Sequence, residues 1–324
     1  MIHRIEAIYC HASETYYYLI NGLEKELQFS EEEYGLFVNK LIQQQHPFLR
    51  IEGVIFMLPS KEVEVRMRSF DKYGNEIGLC RNGIRCVIKK YHQITRKKRF
   101  HVEALNGIVQ GKAEGEIYRN VDTYSVYISP ILFAYNKKIY INQIIPELSN
   151  KLRFSNVYTG CPQLVAKVEK YDEFELFKMG KKINNDFHLF PYGNSLSYYQ
   201  VLDKQKLFVS TYDREYGLTQ SNGSSIAAAS IVAAQQGDVR FNRWVSIHNK
   251  NGMVKCLPQK SFKKISVKLL GNATFITRDT IVYDSKWHHV DQIINLESFP
   301  QEGVGFEFFK KNVRYLHPGN RTVL

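Results

Sequence analysis

The sequence predicts a strand-rich α+β fold, on three observations. First, short β-branched or aromatic segments recur along the chain, each bounded by Gly, Asn, Asp or Pro. Second, only three segments have helical character: Glu31 to Gln45, Gly83 to His92, and Ser225 to Gln236. Third, the last of these reads Ala-Ala-Ala-Ser-Ile-Val-Ala-Ala from Ala227, almost without polar side chains. Such a helix is buried around most of its circumference. Gly237 then supplies its C-terminal stop. Taken in order, Thr15 to Ile20 reads as an apolar strand. Glu62 to Arg68 alternates charged with apolar residues and is expected to expose one sheet face. Ser125 to Ile128, Lys206 to Ser210 and Phe275 to Thr277 are further strands.

A chain of 324 residues is long enough for two domains of roughly 150 residues each. With 44% hydrophobic and 23% charged residues it is globular rather than disordered. The net charge of +12 suits an anionic partner but is spread along the chain. Its densest run, Arg96 to Arg99, reads as a solvated turn, so no nucleic-acid partner is expected. The longest small-apolar stretch, Ser225 to Ala234, is far short of the roughly 20 residues that span a bilayer. No membrane partner is expected. The first residues lack the apolar core of a secretion signal, and a cytoplasmic location is read from that. Five cysteines (Cys10, Cys80, Cys86, Cys161 and Cys256), an odd count, do not read as a disulfide framework. No Cys-x-x-Cys or His-x-x-x-His spacing marks a metal site, so none is assigned.

The helices at 83 and 225 begin in similar ways. Setting Cys80 against Asn222 brings Leu79 near Ser221 and Ile84 onto Ile226, with glycines and small polar residues at both helix starts. A glycine-containing turn at a helix N-terminus presents unpaired N–H groups and the positive end of the helix dipole. Two such ends would suit a small carboxylate. Cys80, beside Arg81 at one of them, lies where thiolate is favoured over thiol. Cys86, inside the same helix, reads as core.

The residues Asp71-Lys72-Tyr73-Gly74-Asn75-Glu76-Ile77-Gly78-Leu79-Cys80-Arg81-Asn82-Gly83-Ile84-Arg85-Cys86 resemble the first catalytic motif of the diaminopimelate epimerase family. Tyr212-Asp213-Arg214-Glu215-Tyr216-Gly217-Leu218-Thr219-Gln220-Ser221-Asn222-Gly223-Ser224-Ser225 resembles the second. Gly160-Cys161-Pro162-Gln163 stands at a Gly-Asn-Pro-His turn, and Glu103 to Gly107 at a Thr-Ala-Asn-Gly segment. Gly271 to Phe275 and Val282 to Asp284 match the end of that fold. The resemblance covers about residues 1–287 in order.

The resemblance implies two pseudo-symmetric domains, each a curved, mainly antiparallel sheet around a central helix. Residues 1–120 with about 271–287 would form one, and 121–270 the other. Residues 288–324 would be an extension covering a domain face or making a dimer contact. It implies a cofactor-independent amino-acid epimerase or racemase serving lysine biosynthesis, with a carboxylate-bearing amino acid as partner. Cys80 takes the place of one acid/base. Asp71, Asn82, Gly83, Ser195, Asp213, Arg214, Gly223 and Ser224 take substrate-binding places. The departures lie at the site itself. Asn222 replaces the second family cysteine, and an amide has no useful pKa. Gln163 replaces the turn histidine, Arg81 replaces a glycine, and Ser13 to Tyr16 replace a Gly-Asn-Asp-Phe segment. Cys161, standing where asparagine is usual, is a candidate replacement thiol. Three readings follow: an amino-acid epimerase, a one-base isomerase or dehydratase of the same superfamily, and an inactive binding paralogue.

Overall fold

The computed structural model of the chain describes residues 1–313 except 25, 26, 28, 45–49, 79, 134–138, 187, 192, 220, 251 and 263. The chain opens with β1 (Ile2–Ala12), β2 (Thr15–Asn21), α1 (Glu31–Gln43), β3 (Gly53–Leu58), β4 (Val65–Asp71) and β5 (Glu76–Ile77). It continues through α2 (Gly83–Thr95), β6 (Arg99–Ala104), β7 (Gly107–Tyr118) and β8 (Val121–Ile128). There follow β9 (Gln143–Ile145), β10 (Ser149–Tyr158), β11 (Pro162–Lys167), α3 (Glu173–Asn185), β12 (Ser195–Asp203), β13 (Lys206–Asp213) and β14 (Gly217–Thr219). Next come α4 (Gly223–Gln235), β15 (Val245–Asn249), β16 (Gly252–Ser261) and β17 (Lys264–Asn272). The chain closes with β18 (Thr274–Asp284), β19 (His289–Ser298) and α5 (Pro300–Val313). Two compact units result. One holds Met1–Val126 with Gly271–Phe309, the other Tyr127–Leu270 with residues 310–313.

In the first unit β19, β18, β1 and β2 form an antiparallel run. β2 then lies parallel to β3, β3 antiparallel to β4, and β4 parallel to β6, which leads on to β7 and β8. The second unit repeats this plan. β9, β10 and β11 are antiparallel, β11 lies parallel to β12, β12 antiparallel to β13, and β13 parallel to β15, followed by β16 and β17. Both parallel pairs in each unit are bridged by a helix, as a parallel crossover requires. A short strand, β5 or β14, hangs on the strand just before the second helix. α2 touches β1, β2 and β7, strands far apart in their sheet, so that sheet curls around it. α4 likewise touches β10 to β13, β15 and β16. The expected architecture of two similar α+β halves with central helices is the observed one.

Helices α1 and α3 cover the opposite sheet faces. Tyr34, Phe37, Val38 and Leu41 of α1 pack on Ile5, Tyr18, Phe56 and Tyr283. Leu176 and Ile183 of α3 pack on Phe154, Leu164, Leu196 and Tyr198. Each of these helices carries a glycine where a neighbour leaves no room for a side chain. A Cβ on Gly35 would meet the carbonyl oxygen of Gly74 at 2.6 Å, and one on Gly180 would strike the Tyr212 ring.

Several expectations need correction. α4 begins at Gly223 rather than Ser225, because the Asn222 side chain accepts hydrogen bonds from the N–H groups of Ser224 and Ser225 and fixes the cap. α2 runs three residues past His92 to Thr95. α1 ends at Gln43; Gln45 lies outside the described residues. α3 and α5 have no counterpart in the sequence reading. α3 is announced by Asp172, whose side chain caps the Glu175 N–H, but its polar face dominates the sequence. The strand expected over 62–68 runs from Val65, and its charged face is not simply exposed. Arg68 is buried, forked onto Glu76 at 2.9 and 2.6 Å, paired with Glu31 at 2.9 Å, and capped by the Tyr34 ring. α1 and β5 supply that cover.

From His289 to Phe309 the segment after 288 is an integral part of the first unit. β19 edges β18 and α5 follows it. The Glu302 carboxylate of α5 accepts from buried Lys89 of α2 at 2.5 Å and from the Phe275 N–H at 2.7 Å. Among the described residues, no helix is long and apolar enough to cross a membrane.

Candidate active site

In the first unit the candidate chemistry gathers where α2 begins. β4 ends at Asp71, and the chain turns through Gly74, at φ 86°, into β5. Both Asp71 oxygens are used in this turn: Oδ1 accepts from the N–H groups of Tyr73 and Asn75, and Oδ2 from the Asn75 amide. The chain then reaches Cys80, half-buried just before α2. Its sulfur shares a 2.9 Å hydrogen bond with the Tyr17 hydroxyl of β2 and accepts the Gly83 N–H at 3.4 Å. Burial pushes the Cys80 thiol up. The bonds from Tyr17 and from the N–H groups of Gly83 and Asn82 pull it back only partly.

Asn82 is the N-cap residue of α2, yet its side chain makes no capping bond. Instead its amide donates to Thr15 Oγ1 at 2.9 Å and its oxygen accepts from Arg85 Nη2 at 2.9 Å. Arg85 also reaches Ser13 Oγ at 3.1 Å. The turn joining β1 to β2 is thereby tied to the helix start, so the segment that departs from the family pattern supports Cys80. Gly83 has no room for a side chain: a Cβ would meet Ile55 Cδ1 at 2.3 Å and Cys80 Sγ at 3.3 Å.

The second unit gathers most of the remaining residues at the start of α4. β13 ends at buried Asp213, whose Oδ1 accepts from the N–H groups of Glu215 and Tyr216, the same local device as at Asp71. Its Oδ2 accepts from Ser195 Oγ at 3.0 Å and Asn222 Nδ2 at 2.9 Å. The other end of the Asn222 amide caps Ser224 at 3.0 Å and Ser225 at 3.1 Å. Gly223 and Ser224 form the buried first turn of α4. Arg214 is partly exposed, and its guanidinium bonds Glu215 at 2.9 Å. Cys161 is half-buried. Its sulfur accepts the Gln163 amide at 3.0 Å, and Gln163 Oε1 accepts from Ser225 Oγ at 2.6 Å.

Two clusters therefore form. Cys80, Asn82 and Gly83 stand together at α2. Ser195, Asp213, Arg214, Asn222, Gly223 and Ser224 stand together at α4, linked through Gln163 to Cys161. Asp71 bonds only within its own turn in the contacts described above. Sequence reasoning missed Tyr17, Thr15 and Ser225. Tyr17 and Thr15 lie more than sixty residues from their partners Cys80 and Asn82, and nothing local distinguishes Tyr17 from its core neighbours in an aromatic strand.

No protein-family profile matches the chain. Among curated proteins, diaminopimelate epimerase from Clostridium acetobutylicum is 31% identical over 280 residues, 82% of this chain and 84% of that protein. The chain belongs to the diaminopimelate epimerase family. Two solved structures share its fold at low identity. One is a phenazine biosynthesis protein of the PhzF family from Bacillus anthracis, with TM-score 0.62, 14% identity, and 86% and 99% of the two chains covered. The other is methylitaconate-delta-isomerase, with TM-score 0.62, 12% identity, and 92% and 99% covered. Membership places this chain among isomerases.

Proposed function

We propose that the chain is an amino-acid epimerase of the diaminopimelate type in which Cys80 is the acid/base. The single observation carrying this reading is the environment of the Cys80 sulfur: half-buried, at the start of α2, and held by the Tyr17 hydroxyl and the Gly83 N–H. A sulfur so placed can take a proton from the α-carbon as thiolate and return it as thiol. Donors aimed at it stabilise the thiolate without being consumed. In this proposal Asp71, Asn82, Gly83, Ser195, Asp213, Arg214, Gly223 and Ser224 contribute to holding the substrate. Arg214 has the fork geometry for a carboxylate once it exchanges Glu215 for substrate.

A specific observation favours a second reading, a one-base isomerase of the superfamily. Where the family has its other thiol, Asn222 spends its oxygen on the Ser224 and Ser225 N–H groups and its nitrogen on Asp213. It is a structural cap with no proton to exchange. Symmetric two-thiol inversion then requires a thiol from elsewhere, with Cys161 the candidate. The test is deuterium uptake at the α-carbon in D2O, run with the stereoisomers of diaminopimelate and the twenty amino acids. Uptake with inversion supports the epimerase, and uptake without inversion supports the one-base isomerase. No uptake with any substrate, from folded protein, rejects both.

A further inference from the structure

The residue that most directly touches the Cys80 sulfur lies in β2, far from either catalytic motif. Tyr17 pairs with Cys10 across the β1 ladder and with Gly53 across β3, in the middle of the sheet. Its neighbours Tyr18 and Ile20 belong to the core beneath α1. Alternation along a strand sends Tyr17 to the other face, toward α2. There the ring is buried, 5% exposed, and its hydroxyl ends 2.9 Å from Cys80 Sγ. The Cys10 thiol donates to the Tyr17 carbonyl, and Tyr17 is held by ladders on both sides. The hydroxyl is thus delivered by a strand paired on both sides.

We propose that Tyr17 is a positioning residue for the Cys80 thiolate, its phenol donating a fixed hydrogen bond that selects the charged sulfur and sets its direction. This rests on the reading of Cys80 as the acid/base. Thiol sulfur is a weak acceptor, whereas a thiolate takes charge-assisted bonds that are about twice as strong. The bond therefore favours thiolate over thiol. In the reaction the Cα–H bond breaks and its electron pair stays with carbon. The S–H bond forms from the thiolate pair, and the Tyr17 O–H persists throughout. Burial, with Cys80 beside it, pushes the phenol well above its ordinary range, so it keeps the proton it must donate. Among the described residues, the titratable and charged groups near this pair include Cys86 and Arg85 on α2, with Arg85 directed to Asn82, Glu52 before β3, and Arg81, next to Cys80 in the chain. The Gly83 N–H completes a second bond to the sulfur.

The experiment is the pH dependence of iodoacetamide alkylation of the full chain, with modification at Cys80 read by mass spectrometry. Tyr17→Phe keeps the ring and removes the donor. The alkylation midpoint of Cys80 is expected to rise by about one pH unit, so that alkylation at a fixed pH below it falls about tenfold. A second variant carries 3,5-difluorotyrosine at position 17, a stronger donor of nearly the same shape, and is expected to move the midpoint the opposite way. A ring that only packs gives no shift in either protein, and that result overturns the proposal. Should Tyr17→Phe fail to fold, the difluorotyrosine protein decides alone. Because no substrate is involved, the outcome separates from that of the deuterium test. A shifted midpoint without exchange rejects the epimerase reading and leaves the Tyr17 bond standing. Exchange with an unmoved midpoint rejects only the role of Tyr17.

Discussion

The starts of α2 and α4 are built on one plan and used in opposite ways. Each follows a strand that ends in a buried aspartate, Asp71 or Asp213, whose Oδ1 holds the next turn. At α4 the N-cap side chain does what such residues usually do and satisfies two N–H groups. At α2 the cap residue turns away to Thr15 and Arg85, and the Gly83 N–H goes to a sulfur. The helix bodies differ too. α4 is small and apolar, and needs only close strands around it. α2 carries Arg85 and Lys89 into the interior and depends on Ser13, Asn82 and Glu302 to compensate them. A helix start that closes on itself gives stability. The one that meets a sulfur, the base in the proposed function, is braced from outside by Thr15 and, through Arg85, by Ser13.

The largest expected effect breaks the chemical side of this contrast. Cys80→Ser should lower α-deuterium exchange by about 10²- to 10⁴-fold, the usual worth of a positioned acid/base, with circular dichroism unchanged. Exchange at the parent rate would move the chemistry away from α2. The next effect tests the bracing. Lys89→Met leaves the Glu302 carboxylate without the cation it bonds at 2.5 Å. Stranding one partner of a buried pair costs about 3–5 kcal/mol, and the partial exposure of Glu302 sets the expectation at about 3 kcal/mol in urea unfolding. The corresponding region of α4 has no such charge to strand.

A smaller effect appears in the pH profile. Because burial raises the Cys80 pKa, thiolate is the minor form at neutral pH. The exchange rate should then rise about tenfold per pH unit and level off above the thiol's raised pKa. Stability has the opposite sign: the folded state holds this proton more tightly, so its contribution is present below the unfolded pKa and is lost as pH rises through the folded value. A rate independent of pH from 7 to 9 would exclude a raised thiol as the base. The smallest effect belongs to the closed helix start. Asn222→Ala should cost about 1 kcal/mol through the lost cap while leaving exchange largely intact. Asn222→Cys should increase inversion relative to exchange if position 222 is a true vacancy for a second thiol. Unchanged stereochemistry would favour the one-base reading.

The sequence by itself determined the elements whose cause is local. Ala227 to Ala234 could only be a buried helix, the residues from Asp71 to Cys86 carried the family and placed Cys80 at a helix start, and the two similar helix starts announced the duplicated plan. α3 was less legible, because the polar face of Glu173–Asn185 outweighs its few buried residues, Leu176, Gly180 and Ile183. α5 was illegible because Gly303 and Gly305 interrupt a segment held by long-range contacts such as Glu302 to Lys89. Tertiary structure alone decided how each side chain at the site is spent. Whether Asn222 caps its helix, whether Asp71 serves its own turn, and which residue meets the Cys80 sulfur depend on where other strands deliver their atoms. Tyr17 and Cys80 are 63 positions apart, and only the folded sheet around α2 brings hydroxyl and sulfur to 2.9 Å. Helix and strand identity follow from periodicities a few residues long, whereas a hydrogen-bond partner is chosen by the packing of the whole unit.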